Sequence, residues 1–350
     1  MSCSPFTGNS FNKNALPNSN HDNRSLFLSR SNPPIFDRRS VPKDAKELIW
    51  TAPDGWEIRQ FEWLQPDEDA RGSVLFMTGR ADFYEKYLET FHDFHAAGWN
   101  VTSPDWRGQG GSGRCGPHPH VGHIDDFAIW VNDLAAFYRQ WQNEHPGPHI
   151  VIGHSMGGHL VARTLSEQRI HPDAVILSAP MLAPAGGGMP EWGAHLVAKL
   201  FCAIGRGKRR AWKVSEKPLE PEVLRQGLLT HDAARYSDEF FWFRERPFVR
   251  LGPGSWRWVE RAYASARRLR DKQRLEAVDT PVFVLATAID ELVDNATIER
   301  AVQLMPHAEM KLFGPECAHE IYREVDDVRN AALQASFEFL DRVAPSLNNL

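Results

Sequence analysis

The sequence predicts an α/β fold, in which a mostly parallel central sheet carries helices on both faces and a helical cap is inserted between two strands. Short apolar runs alternate with segments of helical period from about residue 45 onward, as in parallel sheets with crossover helices. This alternation stops over residues 181–275 and then resumes, which indicates an insertion. We therefore expect a disordered or loosely docked tail over residues 1–44, a core over 45–180 and 276–350, and a cap over 181–275.

The first half of the core contains five predicted strands. One alternates apolar and polar residues, and the others are apolar runs that suit strands buried on both faces. They cover residues 57–63, 73–78, 100–103, 149–152 and 174–177. Apolar residues three and four positions apart predict helices over residues 85–97, 124–144 and 159–168.

The second half of the core repeats the pattern after the insertion. Strands are predicted over residues 281–286 and 309–313, and helices over 295–305 and 326–343. Residues 1–35 are rich in Asn and Ser and lack apolar periodicity, which is the basis for the predicted tail.

The composition excludes several classes of protein. The 350 residues include 40 Lys and Arg against 45 Asp and Glu, a net charge of −5 that argues against a dedicated nucleic-acid binder. We expect no transmembrane helix, because no apolar run reaches about 18 residues, and the first residues lack the apolar core of a secretory signal. The scattered cysteines form no CxxC pair and predict reduced thiols in a cytoplasmic protein: Cys3, Cys115, Cys202 and Cys317.

A candidate nucleophile lies in Gly153-His154-Ser155-Met156-Gly157, which has the spacing G-x-S-x-G. The motif falls between a predicted strand and a predicted helix, the context in which such a turn exposes the serine hydroxyl above a sheet. Small residues on both sides of Ser155 allow the sharp turn. An ordinary strand-to-helix turn is the alternative interpretation.

A serine nucleophile needs a base and an acid, which follow it in the chain order Ser, Asp or Glu, His. His319 lies in the loop after the last predicted strand, and we prefer it to His307, which leads into a strand. Asp290 follows the strand at 281–286 and is our candidate acid. Asp294 is the alternative, although it suits the N-cap of the next helix better.

Two backbone N–H groups are expected to bind the oxyanion of a tetrahedral intermediate. We predict one at Met156, directly after the nucleophile, and the other at Arg80, in the loop after the first buried strand.

Two further patterns suggest ligands but are better explained by structure. Residues 108–113 match G-x-G-x-x-G, yet Pro117 follows too soon for the helix that a dinucleotide site requires. We expect Asp105 and Arg107 to anchor this loop. His118, His120 and His123 lack an accompanying set of carboxylates or thiolates, so we predict loop packing and no metal.

The cap carries an apolar series and many aromatic residues. Trp192, Leu196, Leu200, Phe201 and Ile204 recur near helical spacing, and residues 206–210 add four positive charges. We expect a core-facing lid helix and a solvated basic loop, with contact to lipid headgroups as the alternative. Four aromatic side chains are candidates for the wall of an acyl pocket or for the core of the cap: Phe241, Trp242, Trp256 and Trp258.

These motifs together resemble the α/β-hydrolase superfamily, and within it the bacterial lysophospholipase and monoacylglycerol-lipase-like group. The resemblance spans about residues 45–345. Its markers are Gly79-Arg80, Glu85-Lys86-Tyr87, Asp105 to Arg114, Pro119 to His123, Gly153 to Gly158, Ser178-Ala179-Pro180-Met181, Asp290 to Asp294 and Ala318-His319-Glu320. Thr78 departs from the group, in which many members have histidine at this position.

The resemblance implies a serine hydrolase that uses Ser155, Asp290 and His319, with oxyanion donors at Arg80 and Met156 and without a metal or cofactor. It further implies a lipid ester substrate with one acyl chain, such as a lysophospholipid or a monoacylglycerol. General carboxylesterase activity is one alternative. A capped peptidase or amidase is another, and it would need a cap carboxylate such as Glu239 or Glu245. A non-enzymatic ligand-binding protein is the third. We expect no nucleic-acid partner, and cytoplasmic location with transient contact to a membrane surface.

Overall fold

The computed structural model describes residues 36–66, 70–185, 189–212 and 220–345, without the side chains of residues 220–224. The chain divides into the units Met1–Phe36 and Asp37–Leu350, and every element below belongs to the second unit. The expected tail lies outside the described residues as far as residue 35. Beyond it, Arg38 and Arg39 pair with Asp238 of the cap at 2.6 and 2.7 Å, so the chain is anchored from there onward.

The eight described strands form one sheet in the order β1-β2-β4-β3-β5-β6-β7-β8. The pairs β1–β2 and β2–β4 are antiparallel. The other five pairs, from β4–β3 to β7–β8, are parallel. The mostly parallel sheet predicted from the sequence is thereby confirmed. The strands are β1 Lys46–Thr51, β2 Glu57–Trp63, β3 Gly72–Met77, β4 Trp99–Pro104, β5 His149–His154, β6 Ala174–Ser178, β7 Val282–Thr287 and β8 Ala308–Phe313.

Ten α-helices are described along the same residues. They are α1 Leu88–Ala96, α2 Phe127–Glu144, α3 Met156–Ser166, α4 Glu191–Ala203, α5 Glu220–Leu229, α6 Ala233–Glu245, α7 Trp256–Ala266, α8 Lys272–Glu276, α9 Asn295–Leu304 and α10 Asp326–Val343. Helices α4 to α8 all lie between β6 and β7, at the position of the predicted insertion. No helix in the described ranges is both long and apolar enough to cross a membrane.

Helices cover both faces of the sheet, as the alternation of side chains along β7 demonstrates. Val282 and Val284 join a large apolar cluster with residues of α2, α3 and α9. Phe283, between them, stacks on Phe339 of α10 with ring centroids 5.3 Å apart. Successive side chains of a strand point to opposite faces, so these helices lie on opposite sides.

Three helix starts differ from the sequence prediction. Helix α2 begins at Phe127 and not at 124, because the Asp126 carboxylate caps it by accepting from Ala128 N at 2.8 Å. Helix α3 begins at Met156, three residues before the predicted start. The segment predicted as helical from residue 85 opens with a 3₁₀ turn, Tyr84–Tyr87, before α1.

The orientation of α4 overturns the expectation of a core-facing apolar series. Ala194, His195 and Ala198 form its buried face, whereas most of the large apolar residues face outward. The exposed members are Trp192, Leu196, Leu200 and Ile204.

Candidate active site

Ser155 lies at the turn between β5 and α3 with a strained backbone. Its φ of 51° and ψ of −117° are rare for a residue with a side chain. The Ser155 N–H donates to Ser178 O of the neighbouring strand at 2.9 Å, which fixes the turn. A Cβ atom at Gly157 would lie 2.2 Å from Met77 O, so the helix approaches β3 only because this residue is glycine.

A chain of hydrogen bonds joins the three residues that the sequence singled out. Ser155 Oγ lies 2.8 Å from Nε2 of His319, and Nδ1 of His319 lies 2.7 Å from Oδ2 of Asp290. A carboxylate only accepts, so Nδ1 carries the proton and Nε2 is free to accept from the serine hydroxyl. The structure therefore brings together a hydroxyl, a base and an orienting acid from three loops at the carboxyl edge of the sheet.

The two candidate acids have different roles in the structure. Asp290 Oδ1 accepts from the N–H groups of Leu292 at 2.9 Å and Val293 at 3.3 Å, which leaves Oδ2 for His319. Asp294 is the N-cap of α9 and accepts from Ala296 N at 3.0 Å. His307 precedes β8, where its carbonyl oxygen accepts from Val282 N.

In the loop after β3, two of three successive backbone N–H groups have side-chain acceptors. The N–H of Gly79 donates to Asp82 Oδ2 at 3.0 Å, and that of Ala81 donates to Gln109 Oε1 at 2.5 Å. Between them, the N–H of Arg80 has no acceptor in the described part of the chain. A Cβ built on Gly79 would lie 3.3 Å from Ser155 Cβ, so this loop is directly beside the nucleophile.

Met156 is the second predicted donor. It is the first residue of α3, and the first N–H groups of a helix have no partner within it. The partial positive charge of a helix N-terminus further favours an anion at this position. Met156 follows Ser155 in the chain and Arg80 follows Gly79, so both predicted donors belong to segments next to the nucleophile.

The Arg80 side chain connects this loop to the cap. Its Nη1 donates to Gly252 O at 2.8 Å, and its guanidinium lies 5.2 and 5.7 Å from the ring centroids of Trp212 and Trp258. Burial, together with the positive charge of Arg225, lowers the pKa of Arg80 to about 10.

The four cap aromatics occupy separate places. Trp258 joins the main apolar cluster and lies beside Arg80, so it is the one placed next to the loop after β3, residues 78–83, which we call the oxyanion loop. Trp256 stacks on Phe201 of α4 with centroids 4.1 Å apart. Trp242 is buried and its Nε1 donates to Arg38 O, whereas Phe241 lies under Arg39. A shared acyl wall is therefore not evident from these contacts.

A buried charge cluster beneath the oxyanion loop escaped the sequence analysis. Lys86 Nζ lies 2.9 Å from Glu320 Oε1 and 3.7 Å from Glu239 Oε2, and it also binds Asp82. The buried members are Asp82, Lys86, Glu239, Glu320 and Arg323, and the exposed Arg225 pairs with Glu239 at the edge of the cluster. It joins the oxyanion loop, the cap helix α6 and the residue after His319.

Opposite charges within this cluster stabilise one another's ionised forms. Burial lowers the pKa of Lys86, but the carboxylates of Asp82, Glu320 and Glu239 outweigh it and raise that pKa above its ordinary value. Burial also opposes ionisation of Asp82, and Lys86 nevertheless holds the pKa of that carboxyl below its ordinary value. Lys86 and Asp82 are therefore both charged at neutral pH.

His154, next to the nucleophile, is buried and, unlike the cluster, carries no charge at neutral pH. Burial and the neighbouring His319 lower the pKa of His154 to about 4. Its ring centroid lies 5.0 Å from that of His319. A neutral imidazole at this position adds no positive charge beside the base.

The remaining sequence candidates have structural contacts. Asp105 accepts from Gly111 N at 2.7 Å and thereby closes the glycine loop, and Arg107 pairs with Asp133 and Asp54. His123 is buried and contacts Ser255 Oγ at 2.8 Å. Across the described ranges, no three His, Cys, Asp or Glu side chains are grouped to hold a metal ion.

Gln109 and Asp82 are two of the residues beside the site that the sequence analysis did not assign. Each orders one end of the oxyanion loop. A signal for Asp82 exists in its spacing from Gly79, since Asp side chains often accept from nearby backbone N–H groups. For Gln109, the glycine-rich motif predicted that the residue lies in a loop, but it did not indicate that the side chain accepts from Ala81 N.

Comparison with known proteins places this geometry in a family context. Residues 68–326 match the family model described as serine aminopeptidase, S33. Lysophospholipase L2 of Escherichia coli K12 is 33% identical over 290 residues, which cover 77% of this chain and 80% of that protein. Monoacylglycerol lipase of Mycolicibacterium smegmatis is 35% identical over 143 residues, or 41% of this chain and 49% of that protein.

Solved structures show the same fold. A soluble variant of monoglyceride lipase from Saccharomyces cerevisiae, in complex with a substrate analogue, superposes with a TM-score of 0.71 at 18% identity. The match covers 89% of this chain and 98% of that one. At this identity the likeness concerns the fold, which is that of the α/β-hydrolases predicted from the sequence.

Proposed function

The chain belongs to the family described as serine aminopeptidase, S33, with an α/β-hydrolase fold, and we propose that it cleaves lipid esters carrying one acyl chain. It is a carboxylic ester hydrolase of lipase-like type. The observation that carries the proposal is the unbroken hydrogen-bonded chain from Ser155 through His319 to Asp290. The relatives named lysophospholipase and monoacylglycerol lipase support the substrate class.

In the proposed reaction, Ser155 Oγ attacks the ester carbonyl carbon while His319 Nε2 takes its proton. Asp290 holds the imidazole in the required tautomer and stabilises the imidazolium that forms. The backbone N–H groups of Arg80 and Met156 stabilise the oxyanion. His319 then protonates the leaving alcohol, and an acyl-enzyme remains on Ser155. Water, activated by the same histidine, releases the fatty acid.

We favour a lysophospholipid over a neutral monoacylglycerol. Lysophospholipase L2 of Escherichia coli, the relative described above, matches over 77% of this chain, and the monoacylglycerol lipase over 41%. The cationic residues 206–210 are consistent with a phosphate-bearing headgroup.

Peptidase activity is the second candidate, because the family is described as serine aminopeptidase. It would require a cap carboxylate for a substrate amine. Glu239 is a poor choice, since it is buried and engaged by Arg225 at 2.8 Å and by Lys86. Glu245 is exposed at the end of α6. Hydrolysis of aminoacyl-naphthylamides in place of lipid esters would favour this candidate.

A cytoplasmic location with transient membrane contact completes the proposal. The described cysteines Cys115, Cys202 and Cys317 are free thiols, which suits a reducing compartment.

The test measures fatty acid release from lysophosphatidylcholine and from a monoacylglycerol of equal chain length. Wild type, Ser155→Ala and the control Ser237→Ala, which alters a serine of α6, are compared. We expect release by wild type and by the control, faster from the lysophospholipid, and none above background by Ser155→Ala. Release by Ser155→Ala would disprove the mechanism. A wild-type enzyme inactive on both lipids, yet labelled at Ser155 by a fluorophosphonate, would disprove the substrate class alone.

A further inference from the structure

The side chain of Arg80 lies where three segments meet beside the nucleophile. Its backbone belongs to the oxyanion loop, and its Nη1 donates to Gly252 O of the cap at 2.8 Å. A Cβ atom built on Gly122 would lie 3.7 Å from the same Nη1, so residues 119–123 pass directly beside the guanidinium. Arg80 is partly exposed, so this junction is open to solvent on one side.

Two tryptophan rings lie against this guanidinium. The ring centroids of Trp212 and Trp258 are 5.2 and 5.7 Å from Arg80 Cζ. A Cβ atom built on Gly254 would lie 3.0 Å from Trp212 and 3.1 Å from Trp258, so the glycine lets both rings approach. Aromatic faces attract a cation, but they leave its N–H groups available to a hydrogen-bond acceptor.

Among the residues that the structure describes, no carboxylate lies within 4.0 Å of the Arg80 guanidinium. Arginines of the neighbouring charge cluster are different, because Arg225 pairs with Glu239 at 2.8 Å and Arg323 pairs with Glu320. The acceptor of Arg80 is a carbonyl oxygen, which carries no full charge. The guanidinium is therefore a cation without a direct counterion in the described part of the chain.

The charges around Arg80 favour the binding of an anion. Burial and the positive charge of Arg225 lower the pKa of Arg80 to about 10, and the side chain remains protonated at neutral pH. The carboxylates of Asp82 and Glu239 oppose this shift, but both already lie close to the Lys86 ammonium group. An anion in direct contact would stabilise the charged guanidinium.

A second donor next to Arg80 also lacks an acceptor. Trp258 is 6% exposed, and its indole Nε1 has no hydrogen-bond partner among the described residues. Two other indoles of the same apolar cluster, Trp106 and Trp130, donate to backbone oxygens at 2.8 and 2.9 Å. Because a buried N–H without a partner is costly, it indicates an acceptor supplied by a ligand or by water.

Phosphate is the group that matches these features. The planar fork of a guanidinium binds two phosphate oxygens at once. The glycerol chain between the ester and the phosphate of a lysophospholipid is about as long as an arginine side chain. The predicted oxyanion donor and the phosphate ligand can therefore belong to one residue, Arg80. A substrate amine, as in an aminopeptidase, would be repelled by the same cation.

We propose that the Arg80 guanidinium binds the phosphate of the substrate headgroup and thereby selects a lysophospholipid over a monoacylglycerol. The monoacylglycerol has a neutral hydroxyl in place of the phosphate, so it gains less from the guanidinium. The Gly252 carbonyl holds the side chain in position before the substrate arrives, which lowers the entropic cost of binding. This inference rests on the proposed lipid ester substrate, since it names the group that distinguishes two such esters.

The first test measures phosphate binding without lipid hydrolysis. Turnover of a neutral, water-soluble ester is followed with increasing glycerophosphocholine, the deacylated form of the lysophospholipid. Glycerophosphocholine should inhibit wild type competitively, and its inhibition constant should rise at least about tenfold in Arg80→Gln. Arg80→Lys should give an intermediate value, because an ammonium group keeps the charge but lacks the fork.

Arg250→Gln is the matched control. Arg250 Cζ lies 5.7 Å from the ring centroid of Phe243, the same distance as Arg80 Cζ from Trp258, and the substitution removes the same charge. Arg250 is exposed in the cap. Its replacement should leave the inhibition constant at the wild-type value.

The second test compares two lipid substrates. The kcat/KM for lysophosphatidylcholine, divided by that for a monoacylglycerol of equal chain length, should fall at least about tenfold in Arg80→Gln and stay unchanged in Arg250→Gln. The monoacylglycerol is the internal reference, because a displaced oxyanion loop would slow both reactions and cancel in this ratio. Arg80→Lys, whose ratio should lie between those of Arg80→Gln and wild type, keeps the test decisive if Arg80→Gln does not fold.

The outcomes separate this inference from the proposed function. An unchanged ratio in the Arg80 variants would overturn the inference, as would an unchanged inhibition constant or a wild type that glycerophosphocholine does not inhibit. Inorganic phosphate that inhibits as strongly as glycerophosphocholine would also overturn it, by assigning the site to a free anion. Wild type that is inhibited through Arg80 but does not hydrolyse lysophosphatidylcholine would reject the proposed substrate and support the phosphate site.

Discussion

Lys86 Nζ lies 2.9 Å from Glu320 Oε1, although the two residues are 234 positions apart in the chain. Lys86 follows the oxyanion loop, and Glu320 follows the histidine that contacts the nucleophile. Both side chains are 2% exposed. This ion pair therefore ties two loops of the candidate site together from beneath.

Replacing Lys86 should destabilise the protein strongly. Lys86→Met leaves the buried carboxylates of Asp82, Glu239 and Glu320 without this cation, and breaking a buried pair in this way costs about 3–5 kcal/mol. Urea unfolding measures the loss. The control is Lys272→Met, whose pair with Glu276 is exposed and worth less than about 0.5 kcal/mol. A loss below about 1 kcal/mol in Lys86→Met would contradict the importance of the cluster.

The two candidate acids should separate in kinetics. Asp290→Asn should lower kcat for a soluble ester by about 10⁴-fold, because the amide favours the wrong imidazole tautomer. Asp294→Ala should cost about 1 kcal/mol of stability through loss of the helix cap and leave kcat nearly unchanged. Steady-state kinetics and thermal unfolding of both variants give the answer. Equal kcat values for the two would show that Asp290 has no special role.

Gln109 should act as a positioning residue for the oxyanion loop. Its Oε1 accepts the Ala81 N–H and its Nε2 lies 3.9 Å from Met156 Sδ, so it contacts both donor-bearing segments. Gln109→Leu should lower kcat by roughly ten- to a hundredfold with little change in KM, since misplaced donors stabilise the transition state less. Gln140→Leu, which removes an acceptor of Trp50 on the surface of α2, is the control. An increase in KM alone would indicate a role in substrate binding.

Stability should decrease in mild acid, partly through His154. Its pKa is about 4 in the folded protein, against an ordinary value of 6.5. The unfolded chain therefore binds the proton first as the pH falls, so stability is highest above pH 6.5 and declines toward pH 4. Between about pH 7 and 5 this group should remove about 2 kcal/mol. Urea unfolding at both pH values should show a smaller decline in His154→Phe, and an undiminished decline would refute the assignment.

Gly157, two residues after the nucleophile, should not tolerate a larger side chain. Gly157→Ala places a methyl group 2.2 Å from Met77 O and 2.4 Å from Thr78 O, so the helix and β3 must separate. We expect little soluble folded protein, or a thermal midpoint far below that of wild type. Gly227→Ala, in α5 with open space around it, should instead stabilise the chain by about 0.5–1 kcal/mol. Comparable midpoints for the two variants would contradict this contrast.

The sequence allowed the sheet and the three aligned site residues to be predicted because their signals are local. Each buried strand is a short apolar run, and Ser155 lies in a motif whose turn geometry is dictated by its own glycines. Strand β1 was not predicted, because its first four residues are all exposed and do not alternate between polar and apolar side chains. Its position depends on the antiparallel pairing with β2, a property of the folded chain.

The features that escaped prediction depend on partners far away in the chain. The buried position of Lys86 becomes favourable only when Asp82, Glu239 and Glu320 converge on it. The rotation of α4 depends on the stack of Phe201 on Trp256, and the apolar series by itself fitted a core-facing helix equally well. Periodicity shows that a helix has an apolar side but does not show what that side meets.

The strands on either side of the insertion are hydrogen-bonded neighbours. Val175 and Ser178 of β6 align with Val282 and Leu285 of β7, so the sheet closes whatever the length of chain between them. The cap can therefore be exchanged as a unit. A different insertion between these strands would change the substrate and leave the sheet edge that carries the candidate active site unaltered. Glu239 limits such exchange, because it belongs to the cap and lies close to the Lys86 ammonium group. A replacement cap must either supply a carboxylate to Lys86 or be combined with a substitution of Lys86 itself.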